Sequence, residues 1–567
     1  MSNTRFHDLR ANYMPRYPKI LDDIQKIDVE PSLLNSDPRV DFEQKDNLKH
    51  IFKNLYGQPV LKFKTSNSST TKPLRVGVVL SGGQAPGGHN VICAICDALY
   101  KISSESKLVG FVGGPSGILQ NKIKVITPQV VREYLNTGGF DLLGSGRTKI
   151  ETQEQFETCL QTLKANELNA LVIIGGDDSN TNAALLAEYF KSKGENEITI
   201  VGVPKTIDGD LKNEFVETSF GFYTASRVYA SLVGNICRDA ISAKKYYHFI
   251  RLMGRSASRL TLEVSLLTHP NITLISEELS GFKKTVNEVI EYMVDVIVKR
   301  ADVGKNYGVV LIPEGLIEFI PEIKLLISDL NTIIAENKEY FDNLKGFTAQ
   351  SEYINRKLSK DSSYVFSSLP IDIQRQLLMD RDPHANVQVS KIQTEKLIIE
   401  LLETRLDELK AKGKYKGKFA PQTHFIGYEG RCAQPSNFDA DYAYALGLTA
   451  VALIKAKASG YMAAIKNLIK QHEQWEPFGV PLVSMMNIEI RSARPKPVIK
   501  KSLVGLDDRP FQEFLRVRQK WAMEDHYRYA EPIQYFGPKE ICDNVPPSLL
   551  IENDLEDEFY KEIDYKI

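Results

Sequence analysis

Short, uninterrupted apolar runs recur along the chain, each closed by a glycine-rich or acidic turn. LRVGVVL (74–80), ALVII (170–174), ITIVGV (198–203) and GVVLI (308–312) are such runs. Strands buried on both faces read as continuous apolar stretches instead of alternating ones. Between the runs lie segments with helical spacing, such as 91–99 and 182–191. The pattern predicts an α/β fold with parallel sheets. In such sheets ligands sit at the carboxyl ends of the strands, and every one of these turns occupies that position.

Other stretches differ in texture. Residues 1–72 are polar and mixed, with a helix expected near 42–55 and a linker or loop at 64–73. Residues of about 322–415 carry helical spacing at 325–344 and 389–410, among many charges. They are expected to form a helical insertion, either a solvated elaboration or an oligomer contact or lid. One long helix is expected over 442–471, and the acidic tail 553–567 is assigned no chemistry.

The 567 residues imply several domains. With 71 Lys+Arg against 72 Asp+Glu, the chain is not built to coat nucleic acid or an acidic membrane. The N-terminus has no apolar signal region, and no apolar stretch is long enough to span a bilayer. Six cysteines are too few for a disulfide framework. Cys93 and Cys96 form a CxxC inside the apolar run 91–99, which reads as a buried helix. A cytoplasmic setting is expected.

Three turns carry candidate chemistry. In LSGGQAPGGHN (80–90), glycines and a helix N-terminus let backbone N–H groups approach an anion; a tight turn without ligand is the alternative. In IGGDDSN (174–180), two adjacent carboxylates suit a hard cation such as Mg²⁺, unless Asp178, Ser179 or Asn180 simply caps the helix. In PKTIDGD (204–210), paired carboxylates beside a lysine suit a metal and a general base, or a plain surface turn. A basic cluster follows: Lys244, Lys245, Tyr246, Arg251, Arg255 and Arg259. It suits a phosphomonoester, or is a solvated face. Glu314, YEGR (428–431) and Arg147 in GSGRTK (144–149) complete the set. Together they suggest phosphoryl transfer to a phosphorylated small molecule.

The ordered words Ser-Gly-Gly, Gly-Gly-Asp, Thr-Ile-Asp and Met-Gly-Arg resemble those of the phosphofructokinases. The longer words LSGGQAPGGHN, IGGDDSNTNA, VPKTIDGDLKN and KYYHFIRLMGR resemble the long, pyrophosphate-dependent form. The resemblance lies within 76–315 and 424–447. It implies two Rossmann-like parallel-sheet domains with a helical insertion and an N-terminal extension. Their expected limits are 73–222 plus about 424–520 for the donor and Mg²⁺ domain, and 223–423 for the sugar-phosphate domain. The extension 1–72 and the tail 521–567 flank them.

The resemblance further implies reversible, Mg²⁺-dependent transfer from pyrophosphate to the 1-hydroxyl of fructose 6-phosphate. The products would be fructose 1,6-bisphosphate and phosphate. Gly82, Gly83, Arg147, Asp178 and Lys205 would meet the donor, and Asp177 would serve the metal. Asp208 would be the proton acceptor, with Thr206 and Ile207 lining the sugar site. Met253, Gly254, Arg255, Glu314, Tyr428, Glu429, Gly430 and Arg431 would hold fructose 6-phosphate. Lys245 and Tyr246 match positions that the family contributes across a dimer interface, so a homo-oligomer is implied.

ATP-using relatives have glycine at the positions of Asp178 and Lys205. Like charges about 4 Å apart repel by roughly 4 kcal/mol at an effective dielectric near 20, so the Asp178 carboxylate opposes the α-phosphate of ATP. Lys205 would stabilise the transferred phosphoryl group. The alternatives are an ATP-dependent phosphofructokinase and a catalytically silent regulatory subunit.

Overall fold

The computed structural model describes residues 9–67, 69, 71–379, 387, 392–491 and 494–555. In chain order the strands are β1 (Ile27–Pro31), β2 (Leu61–Thr65), β3 (Arg75–Leu80), β4 (Lys107–Phe111), β5 (Ile123–Ile126), β6 (Ala170–Gly175) and β7 (Thr199–Pro204). They continue with β8 (Tyr247–Leu252), β9 (Ile272–Thr273), β10 (Gly308–Pro313), β11 (Pro421–Ile426), β12 (Tyr461–Lys466), β13 (Glu476–Pro481), β14 (Met486–Arg491) and β15 (Arg494–Ile499). The four apolar runs are β3, β6, β7 and β10, and every residue of the last three is buried.

The chain divides into two units. Among the described residues, the first takes in those of 9–228, 428–502 and 533–553. Its nine-stranded sheet has the order β1-β2-β13-β12-β7-β6-β3-β4-β5. The five central strands, β12 to β4, run parallel, and antiparallel strands close both edges. From β3 the chain goes first to β4 on one side and later to β6 on the other, which makes a topological switch point at β3. Register pairs Leu80 with Ile174, and Gly175 with Pro204. The turns after β3, β6 and β7 therefore emerge side by side.

The helices of this unit bury apolar faces on the sheet. Asp177–Ser192 buries Ala183, Ala184, Leu186, Ala187 and Phe190, where each large side chain contributes about 1.5–3 kcal/mol. Gly88–Ile102 buries the CxxC pair as expected, and the Cys93 thiol donates to the Val131 carbonyl at 3.2 Å.

Among the described residues, the second unit takes in those of 229–427 and 503–532, with 554 and 555. Its sheet, β11-β8-β10-β9, is parallel throughout. The helices Pro321–Glu336, Lys338–Asn343, Gly346–Lys357, Lys360–Ser368, Ile371–Met379 and Thr394–Ala411 form the insertion. They do not stand out in solvent. Leu326, Leu330, Phe366 and Leu402 join Phe249, Val310 and Ile312 of the strands in one core.

Several expectations are corrected. Residues 1–72 are no separate extension, because β1 and β2 complete the edge of the large sheet. The stretch 521–567 is no single tail either. The helix Arg509–Met523 belongs to the second unit, where the Trp521 carbonyl accepts from Asn271 Nδ2 at 3.0 Å. The helix expected over 442–471 runs Asn437–Lys455. Lys457 and Gly460 then take positive φ, and the buried β12 follows. Residues 389–391 and 556–567, parts of the expected helix and acidic tail, lie outside the described residues. Among the described residues no helix is long and apolar enough to cross a membrane.

Candidate active site

The three adjacent turns of the first unit are tied together by their own polar groups. Ser179 Oγ donates to Ser81 Oγ at 2.8 Å, joining the second turn to the first. Asn180 Nδ2 donates to the carbonyls of Gly175 (2.6 Å) and Val203 (3.4 Å), joining the ends of β6 and β7. The loop carrying Arg147 is joined in turn, because Gly82 N–H donates to the Gly146 carbonyl at 2.9 Å.

Three cationic side chains converge on the first turn. Lys205 Nζ donates to the Gly83 carbonyl at 2.6 Å and is almost fully buried. A β-carbon built on Gly82 would stand 3.5 Å from Lys205 Nζ. One built on Gly83 would stand 3.7 Å from Arg147 Nη2 and 3.8 Å from Arg431 Nη1. Gly82 has φ +88°, a conformation that side chains resist. The glycines thus leave room among a lysine and two arginines, as an anion site requires. Arg431, expected with the sugar phosphate, instead shares this cluster on the first turn. Its guanidinium also lies 4.6 Å from the ring centroid of exposed Tyr428.

The acidic groups stand on the neighbouring turns. Gly176, not Asp178, is the N-cap of Asp177–Ser192, so the capping role weighed for Asp178 falls away. Asp177 and Asp178 occupy the first turn of that helix, where its dipole favours negative charge. Lys149 Nζ lies 3.4 Å from Asp178 Oδ2. Lys501 Nζ lies 3.6 Å from Asp177 Oδ2 and 3.9 Å from Asp210 Oδ2. Thr206 Oγ1 donates to Asp210 Oδ1 at 3.1 Å and accepts from Asp208 N–H at 3.1 Å, which shapes the third turn. Thr206 and Ile207 are buried and Asp208 is half-buried.

Burial, with Asp210 and Asp178, raises the Asp177 carboxyl above its ordinary range against the pull of Lys501. Burial and Asp208 raise Asp210 likewise. Burial pulls Lys205 down to about 8 although Asp208 and Asp210 oppose it. Burial also acts on Lys501, but Asp177, Asp210, Asp178 and Asp208 outweigh it and hold the ammonium above its usual range.

Glu429 and Gly430 stand with Tyr428 and Arg431 in the short helix Tyr428–Arg431 of the first unit, whereas the candidates before position 428 that are still unplaced belong to the second. Residues 253–255 follow β8, and Glu314 follows its parallel neighbour β10. Buried Glu314 accepts from Gly254 N–H at 3.1 Å and donates its own N–H to the Leu252 carbonyl at 2.9 Å. Arg255 is exposed. Lys245 and Tyr246 lie before β8, at its other end. At about 3.3 Å per residue, a strand of this length separates them from residues 253–255 by roughly 20 Å.

Two arginines of the basic cluster are engaged in structure. Arg251 Nε pairs with buried Glu395 at 2.7 Å beneath Phe425. Arg259 Nη2 donates to the Leu503 carbonyl at 2.6 Å. The sequence reading missed Lys501, which stands in none of the motif words. It also missed buried Asp439, which accepts from the N–H groups of Gly221 and Thr224, both at 2.8 Å.

A family model described as phosphofructokinase matches residues 75–454, well over half of the chain. The chain is 48% identical over 553 residues to the pyrophosphate–fructose 6-phosphate 1-phosphotransferase of Porphyromonas gingivalis, covering 97% of this chain and 99% of that one. It is 47% identical over 553 residues to the protein of that name from Entamoeba histolytica, covering 97% and 100%. The beta subunit of the Solanum tuberosum enzyme is 48% identical over 510 residues, covering 89% and 88%. Among solved structures, the pyrophosphate-dependent phosphofructokinase of Nitrosospira multiformis shares the fold. It has a TM-score of 0.52 at 16% identity, covering 84% of this chain and 95% of that one. Family model and near-full-length likeness agree with the order of the turns on the sheet: the chain belongs to the phosphofructokinase family.

Proposed function

We propose that this chain transfers a phosphoryl group reversibly from pyrophosphate to the 1-hydroxyl of fructose 6-phosphate, a step of glycolysis. The products are fructose 1,6-bisphosphate and phosphate. The observation that carries the reading is the convergence of Lys205, Arg147 and Arg431 on Gly82 and Gly83, with Asp178 on the adjoining turn. The names of the relatives, each about 48% identical, point to the same reaction.

In this reading Asp208 accepts the proton of the 1-hydroxyl as its oxygen attacks the nearer phosphorus. The new ester bond forms as the anhydride bond breaks, and phosphate leaves. Lys205 and Arg147 neutralise charge on the moving and departing groups, which is the main lever available in phosphoryl transfer. Asp178 puts a carboxylate where a nucleotide's α-phosphate would lie. Glu314 holds the backbone that presents residues 253–255 to the sugar phosphate.

Mg²⁺ fits the residues present. Asp177 and Asp210 are carboxylates raised by burial and by neighbouring acids, a setting that calls for further positive charge. Among the described residues no group of three His, Cys, Asp or Glu forms a closed metal cage. Mg²⁺ usually takes one or two carboxylates and completes its shell with water and substrate phosphates. Asp177 would hold it, with Asp210 beside, and the ion would supply charge neutralisation at the pyrophosphate oxygens.

The strand-length separation supports an oligomer of at least two copies. Lys245 and Tyr246 cannot reach a ligand held by residues 253–255 of their own chain, so they would serve a neighbouring copy. The free, buried Cys93 and Cys96 agree with a cytoplasmic setting.

The deciding experiment gives purified protein fructose 6-phosphate and Mg²⁺ with either pyrophosphate or ATP. Product is expected with pyrophosphate alone. Product with ATP would defeat the donor argument, and product with neither would favour the silent-subunit reading.

A further inference from the structure

Strand β15 leaves its hairpin beside the two carboxylate-bearing turns of the first unit. Ile499 N–H donates to Thr181 Oγ1 at 3.0 Å, and that hydroxyl donates to the Asp177 carbonyl at 2.9 Å. Lys500 N–H donates to the Met485 carbonyl at 3.0 Å, and Ser502 N–H to the Asp210 carbonyl at 2.7 Å. The backbone is therefore pinned on both sides of Lys501. One pin is the helix that opens with Asp177, and the other is Asp210 itself. Between them the ammonium stands 3.6 Å from one carboxylate and 3.9 Å from the other. A direct charge-assisted contact would be about 2.8 Å, so Lys501 bridges the two acids without closing on either. Asp178 and Asp208 also act on this ammonium.

We propose that Lys501 is a positioning residue, the resident counter-cation of Asp177 and Asp210, which keeps these acids from holding a divalent cation until the donor's phosphates bring one. The inference rests on the reading that Asp177 serves the metal of a metal–pyrophosphate donor. A dication placed on the pair alone would face an ammonium a few ångströms away, and like charges at that range repel strongly. Pyrophosphate oxygens change the balance, because they offer ligands to the metal and a partner to the ammonium at once. Metal binding thereby becomes conditional on the donor.

The test uses the full chain and Mn²⁺ alone as the probe, followed by electron paramagnetic resonance or calorimetry. In the wild type, Mn²⁺ is expected to bind weakly, and about tenfold or more tightly with methylenediphosphonate present. K501M and K501Q are expected to bind Mn²⁺ alone about fivefold or more tightly than the wild type, whereas K501R behaves as the wild type. In K501M and K501Q the KM for pyrophosphate should rise and that for fructose 6-phosphate stay unchanged. A lysine that merely supports the fold would give weaker metal binding on removal, never tighter. Equal or weaker Mn²⁺ affinity in both variants overturns the proposal. Should neither variant fold, wild-type Mn²⁺ affinity that is indifferent to the diphosphonate overturns it. Failure of the wild type to use pyrophosphate is a separate result that tells against the functional reading, while the Mn²⁺ comparison still judges Lys501.

Discussion

Lys205 Nζ donates to the Gly83 carbonyl at 2.6 Å, so the end of β7 holds the glycine turn that follows β3 through one charged hydrogen bond. The same ammonium faces Asp208 and Asp210, and burial still pulls it down to about 8. Its charge is present below that pH and is lost above it. In pH profiles of kcat/KM for pyrophosphate, a fall is expected as pH rises through about 8. Lys205→Met should lower kcat by about 10²–10³-fold, as loss of one preorganised donor does, and should remove that falling limb.

Asp208 lies on the turn shaped by the Thr206 hydroxyl, which accepts its N–H at 3.1 Å. Asp208→Asn leaves that backbone bond intact and removes the proposed proton acceptor. Turnover should fall by about 10²–10⁴-fold, the usual scale of general-base loss. Calorimetric binding of fructose 6-phosphate should be largely unchanged. Near-normal turnover would reject the assignment of the base.

Gly315 has no room for a side chain, because a β-carbon there would fall 1.9 Å from the Arg255 carbonyl oxygen. Its N–H also donates to the Gly254 carbonyl at 3.3 Å. Gly315→Ala must therefore displace the backbone of Gly254 and Arg255. The KM for fructose 6-phosphate should rise by about tenfold or more, since small misplacements are costly in positioned sites. The KM for pyrophosphate should hold, because the residues proposed to meet the donor stand on other elements.

Asp439 is fully buried and accepts from Gly221 N–H, Thr224 N–H and, at 2.5 Å, the Thr224 hydroxyl. Gly221 packs against Ala85 and Pro86 of the glycine turn, so the carboxylate supports that turn from behind. Asp439→Ala should lower unfolding free energy by about 2–4 kcal/mol, because buried donors are left unpaired. Burial raises the carboxyl to about 6 against the pull of those hydrogen bonds. Its folded pKa thus exceeds the unfolded value near 3.9. The stability it contributes is present below about pH 4 and lost as pH rises to about 6. Urea unfolding at pH 4.5 and pH 7 should show the wild type losing that margin relative to Asp439→Asn.

Much of this was written locally. β3, β6, β7 and β10 are continuous apolar runs because both faces of a parallel strand are buried, and their turns hold Gly82, Asp177, Asp178, Lys205 and Asp208 in short words. Chain-local periodicity and turn chemistry determined those elements and the acids, bases and glycines that follow them. Tertiary structure alone decided which of them meet. Register at the carboxyl ends of β3, β6 and β7 joins three turns that are distant in sequence, and the exit of β15 brings Lys501 to Asp177 and Asp210. It also turned Arg251 to Glu395, Arg431 toward Gly83, and β1 and β2 into the sheet edge. The reason is physical: periodicity records which face of an element is buried, whereas the partner of a charged side chain is set by contacts between segments far apart in the chain.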